Sequence, residues 1–170
     1  YQGRQEKNDN LRMALAVGQI LSEDGVDVGY TRVQDVYQSP LQKAQMANNW
    51  EADYFVSFHR NAMPVPGTAS GTESLIFSRG GEAEQLASNI NAELGQAGWN
   101  DLGTTERPGL IVLRKTEMPA VLVEVGFLDN PEDNQRFDAH FEHTARAIAD
   151  GILNTLRSPE GQPEYYQIQV

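Results

Sequence analysis

Two short apolar runs, Tyr54 to Phe58 and Ala120 to Val125, constrain this chain more than any other feature. Each is shorter than an ordinary helix and rich in β-branched or aromatic residues, which reads as a strand buried in a sheet. Around them the apolar spacing becomes helical. From Glu6 to Asp24, the residues Leu11, Ala14, Leu15, Ile20 and Leu21 recur at near-helical intervals, and Gly25 supplies a stop. Leu41 to Trp50 and Gly81 to Ala97 are helix-like, and Ala139 to Leu156 reads as a closing helix with Ala145, Ile148, Ile152 and Leu156 on one face. Val26 to Thr31, Thr72 to Phe77 and Leu110 to Leu113 read as further strands, with loops over Met63 to Gly71 and Gly98 to Gly109. Helix and strand in alternation predict an α/β fold, a sheet covered by helices.

A chain of 170 residues, 39% of them hydrophobic, can bury one sizeable core and leaves little room for a second full domain. Residues 1–157 are expected to form that domain. Pro159, Gly161 and Pro163 give residues 158–164 the composition of a linker, and Tyr165 to Val170 alternates like a strand. A lone strand beyond a linker would lack backbone partners, so it reads as the start of a second module. At the other end, Tyr1-Gln2-Gly3-Arg4 runs almost directly into a helical pattern, whereas most α/β domains open with a strand, so a first strand is expected to be missing from this chain.

Acidic residues outnumber Lys and Arg by 24 to 13, for a net charge of -11, which disfavours nonspecific attraction to nucleic acid or to an anionic membrane. No apolar run approaches the roughly 18 residues of a membrane span, and no signal-peptide pattern is present in the 170 residues. The absence of Cys excludes disulfides, thiolate metal sites and a cysteine nucleophile, so any metal must rest on His, Asp or Glu.

His59 stands where the run Val56-Ser57-Phe58 gives way to Arg60-Asn61 and a Pro- and Gly-rich loop, and ligand sites of open α/β sheets gather at such strand ends. Its competing role is to cap the strand. Glu124 interrupts the apolar strand just before Gly126, where burial would raise its pKa and suit it to act as a base beside a metal-bound water. The structural alternative is a buried ion pair, with Arg114 as the nearest candidate in sequence. Glu6 heads the first helix, where a carboxylate also suits the helix dipole. His140 and His143 share a helical spacing that could offer two imidazoles, although that part of the helix reads as surface, and Gly80-Gly81 lacks the further pattern of a phosphate loop.

Taken together, Glu6-Lys7-Asn8-Asp9-Asn10-Leu11, Gly25-Val26-Asp27-Val28, Tyr30-Thr31-Arg32, Ala47-Asn48, Asp53 to His59 with Asn61-Ala62, and Met118 to Phe127 resemble the zinc-dependent N-acetylmuramoyl-L-alanine amidases of sporulation and cell division, over nearly all of Gly3 to Leu156. The resemblance implies a twisted, mostly parallel sheet flanked by helices and one Zn²⁺ held by His, Glu and His. By position, Glu6 and His59 are metal ligands, Glu124 is the catalytic carboxylate and Asn61 contacts substrate. The family's first zinc histidine lies in a Gly-His-Gly segment ending its first strand, and only five residues precede Glu6 here. Lys43 stands where the family usually has Arg.

What the resemblance implies is a monomeric hydrolase of peptidoglycan that cuts between N-acetylmuramic acid and L-alanine outside the cell or at its wall. The alternative is a catalytically silent wall-binding or regulatory module with the same fold and an incomplete metal site. A different zinc peptidase acting on the peptide stem is a third, remote reading. Tyr165 to Val170 resembles the opening strand of the sporulation-related peptidoglycan-binding repeat.

Overall fold

In the computed structural model, which describes residues 2–157 and 167–169, the two apolar runs become β2 (Tyr54–Asn61) and β5 (Ala120–Phe127), side by side and parallel at the centre of a six-stranded sheet. The other strands are β1 (Asp27–Gly29), β3 (Thr72–Ile76), β4 (Asp101–Glu106) and β6 (Gln167–Gln169), in the order β1-β6-β2-β5-β3-β4. Only the β3–β5 junction is antiparallel. The helices are α1 (Glu6–Glu23), α2 (Pro40–Trp50), α3 (Glu82–Gln96), α4 (Ile111–Arg114), α5 (Pro131–Ala139) and α6 (Phe141–Leu156). The expected α/β architecture is present, and the α1 and α2 patterns fall where their apolar spacing places them.

Strand alternation sorts the central side chains into two cores. Tyr54, Val56 and Phe58 of β2, with Val121, Val123 and Val125 of β5, pack under α1, α3 and α6. Phe55, Ala120 and Leu122 point the other way and join Ala47 of α2 with Val112 and Leu113 of α4. This second cover is small. Past Phe55 and Leu122 the same face carries Ser57, His59 and Glu124, so the chemistry-bearing positions begin where the second core ends.

Three segments differ from the sequence expectation. Leu110 to Leu113 is not a strand: Ile111–Arg114 forms a single helical turn, with the adjacent residues Val112 and Leu113 both buried, which a strand with one covered face would not allow. The loop expected over Gly98 to Gly109 contains β4, an edge strand paired only with β3 and mostly exposed, so it carries almost no apolar signal. The closing helix is present as α6, starting at Phe141. The unexpected element is the short α5 before it, capped by Asn130, whose side chain accepts from the N–H groups of Glu132 and Asp133, with Pro131 in the first turn.

The linker expected at 158–164 lies outside the described residues. Within 165–170, Gln167–Gln169 enter this sheet as β6, parallel to both β1 and β2, with Ile168 fully buried. Its backbone groups thus have partners in this sheet.

Candidate active site

Glu6, His59 and Glu124 come from three elements that meet at the carboxyl end of β2. Glu6 is the first residue of α1, and its Oε1 accepts from the backbone N–H of Arg60 at 3.0 Å and from Asn10 Nδ2 at 3.4 Å. The same oxygen lies 3.0 Å from His59 Nδ1. Burial works to raise the Glu6 pKa, but the hydrogen bonds from His59 and Arg60 outweigh it and hold the carboxyl below its usual range.

Glu124 is the direct neighbour of His59 across the parallel β2–β5 ladder, and of Glu73 across the antiparallel β3–β5 ladder. Its Oε2 is buried and has no hydrogen-bond partner. Burial, reinforced by Glu6 and Glu73 and opposed by His59 and Arg107, pushes the carboxyl up to about 7. Arg114 is exposed on α4 and forms no ion pair with it, so the buried-pair alternative for Glu124 is not realised. A carboxyl with that pKa can take up or release a proton near neutrality.

A metal fits the first two groups. Ligand atoms at about 2.0–2.1 Å from a tetrahedral zinc stand roughly 3.3 Å apart, close to the 3.0 Å between Glu6 Oε1 and His59 Nδ1, and both side chains are partly exposed. These are two donors. Among the described residues no group of three or more His, Cys, Asp or Glu side chains is close enough to hold a metal ion.

Asn61 turns its side chain onto its own loop, where Oδ1 accepts from the Ala62 N–H at 2.9 Å. His140 and His143 are both exposed near the start of α6, and neither forms a hydrogen bond or ion pair with Glu6 or His59.

Several residues that build the site were not singled out by sequence reasoning. Arg60 alternates with His59 and therefore points to the opposite face, where it is buried. There it donates to Asp9 at 2.8 Å and Asn134 at 2.9 Å and stacks over the Phe137 ring at 4.3 Å. Arg4 joins Asp9 at 2.7 Å and Asp138 at 2.8 Å. This network clamps the start of α1 to the end of β2 and thereby sets Glu6 against His59. Asp133 accepts from Ser70 Oγ, Gly71 N and Phe127 N, tying the 63–71 loop to the end of β5. The signals were a charge in alternating register with a strand and an Asp one helical turn after Glu6.

The sequence pattern described as N-acetylmuramoyl-L-alanine amidase matches residues 1–154. The chain is 33% identical over 174 residues to the N-acetylmuramoyl-L-alanine amidase CwlM of Bacillus licheniformis, covering 99% of this chain and 67% of that protein. It is 35% identical over 156 residues to the sporulation-specific N-acetylmuramoyl-L-alanine amidase of Bacillus subtilis, covering 88% of this chain and 59% of that protein. The chain thus spans about three fifths to two thirds of these relatives' lengths. Among solved structures, an N-acetylmuramoyl-L-alanine amidase from Clostridium difficile 630 superposes with a TM-score of 0.86 at 32% identity, covering 92% of this chain and 86% of that one. The catalytic domain of CwlV from Bacillus (Paenibacillus) polymyxa gives 0.82 at 32% identity, with coverages of 91% and 86%.

Proposed function

The chain belongs to the N-acetylmuramoyl-L-alanine amidase family, and from that premise we propose that it hydrolyses the amide between N-acetylmuramic acid and the L-alanine of the peptidoglycan stem, as a zinc enzyme. The observation that carries the reading is the pairing of two converging donors, Glu6 and His59, with a neighbouring carboxyl raised to about 7. Glu6 and His59 would hold the metal, which when bound would act as a Lewis acid toward the amide carbonyl and lower the pKa of water.

The protein's own part in the reaction falls to Glu124. Its ionised carboxyl takes a proton from the attacking water and holds it at the buried, otherwise unpartnered Oε2. It then passes that proton to the departing L-alanine nitrogen, which leaves as a neutral amine. Leu122, Phe55 and the α2–α4 cover form the floor beneath the site and keep water from the lower part of the sheet face.

The reading requires a third donor beyond the two found among the described residues. Among the described residues β6 pairs with Tyr54 and Phe55 of β2 and stops short of His59, and we assign the third donor to the histidine that the resemblance places in a first strand. Action on the wall places the enzyme outside the cytoplasmic membrane; no helix among the described residues is long and apolar enough to cross one.

The test is zinc content together with release of free muramic-lactyl ends from purified peptidoglycan, for the chain as it stands and for one extended upstream through the first strand. The extended protein should hold about one zinc and cleave. Its Glu124→Gln variant should hold zinc and not cleave, and Glu6→Ala and His59→Ala should lose zinc. An extended protein that neither binds zinc nor cleaves is a silent wall-binding module instead, a reading favoured by the presence of only two donors among the described residues.

A further inference from the structure

A cavity of about 370 Å³ opens beside Glu6 and His59, and its lining sets three cations against the two carboxylates of Glu6 and Asp35, although the chain is strongly acidic. Lys7, Arg32 and Lys43 line it. Lys7 is neutralised by Asp35 at 2.8 Å. Arg32 donates to the backbone carbonyls of Gln34 at 3.1 Å and Lys7 at 2.8 Å, which fixes its guanidinium, and its charge acts on Asp35 without a direct ion pair. The half-buried Lys43 ammonium has no ion pair or hydrogen bond among the described residues.

Lys43 also stands in the first turns of α2, where the helix dipole disfavours a cation and favours an anion. Burial lowers its pKa and the Arg32 charge lowers it further, with Glu6 opposing both. Neither cation makes a direct ion pair among the described residues, although Glu6 attracts Lys43 and Asp35 attracts Arg32, and an anion that enters between the two relieves their mutual repulsion.

The substrate's chemistry says which anion this is. In an N-acetylmuramoyl peptide the sugar is neutral and its lactyl carboxyl is consumed in the scissile amide, so every carboxylate lies on the peptide side. We propose that Lys43 and Arg32 form a carboxylate subsite that holds the peptide side of the substrate, engaging its first free carboxylate beyond the scissile amide. This rests on the amidase reading and gives the cleft a direction, with the peptide toward α2 and the sugar toward the opposite rim.

Binding tests the subsite separately from turnover. N-acetylmuramoyl-L-alanyl-D-glutamate and the same compound with both carboxyls amidated are titrated calorimetrically into the extended protein in the presence of chelator. The acid should bind about tenfold more tightly than the diamide, in keeping with a charged hydrogen bond in a half-buried setting. Lys43→Met or Arg32→Met should erase that preference, and Lys43→Arg should retain it. If Lys43→Met keeps the preference, or weakens both ligands equally while lowering the unfolding midpoint, Lys43 serves the fold by pairing with an acid of the chain itself and the subsite does not exist. Failure of the amidase reading would show elsewhere, as no amide cleavage by a wild-type protein that still discriminates between the two ligands.

Discussion

Replacing Glu124 by Gln should abolish proposed catalysis and at the same time stabilise the metal-free protein, by an amount that depends on pH. In the folded protein burial raises this carboxyl from 4.5 to about 7. Between those values the unfolded chain releases its proton and the folded chain keeps it, so stability falls as pH rises through the window. The loss is complete above about pH 7. At about 1.4 kcal/mol for each pH unit, the ionised carboxyl costs the fold roughly 3 kcal/mol at pH 8 and less than about 1 kcal/mol at pH 5. Gln carries no such charge. Urea unfolding of wild type and Glu124→Gln, both with chelator, should therefore show an advantage for the variant about 2.5 kcal/mol larger at pH 8 than at pH 5. An advantage of the same size at both pH values would mean that Glu124 titrates normally, and the proton-holding role assigned to it would lose its basis.

Two further substitutions probe the frame around the site. Gly126 has φ 73°, and a Cβ there would lie 2.6 Å from the Trp99 ring, which is fixed by its hydrogen bond to Thr144; Gly126→Ala should cost about 2–4 kcal/mol in thermal or urea unfolding. Arg60→Met should cost about 3 kcal/mol, because Asp9 stays buried with only Arg4 to neutralise it. By freeing the start of α1, it should also weaken zinc binding by the extended protein, measured by competition with a chromogenic chelator.

The sequence revealed the parts of the fold that obey a period. β2 and β5 were legible because their apolar runs are buried at the centre of the sheet, and α1 and α2 because their apolar positions repeat on one face. β4 escaped because an exposed edge strand such as Asp101-Leu102-Gly103-Thr104-Thr105-Glu106 buries too little to select apolar residues. The run Leu110 to Leu113 reads as a strand because four apolar side chains in a row carry no period, and the helical turn Ile111–Arg114 overlaps it. At the site, Glu6, His59 and Glu124 stood out by residue type and by resemblance, and the structure brings them to one end of β2. What the chain alone could not display was the pairing of Arg60 with Asp9 and Asn134, since those partners are far apart in sequence and meet only across the closed fold.

The placement of β6 has a consequence for the order of assembly. Among the described residues β1 makes its sheet pairing with β6, so its residues, early in the chain, join the sheet there through residues 167–169. Such pairing closes the largest loop available and is slow to form for entropic reasons. The α3–α6 side and the β2–β5–β3–β4 block can condense from nearer contacts, and Tyr30 against Gly18, Trp50 over Gly29 and Arg32 on the Lys7 carbonyl hold β1 and its rim to α1 and α2. What waits for β6 is the closure of the sheet between β1 and β2. A nascent chain stalled before that strand would expose the Tyr54–Phe55 edge of β2, and there a neighbouring copy could pair in its place.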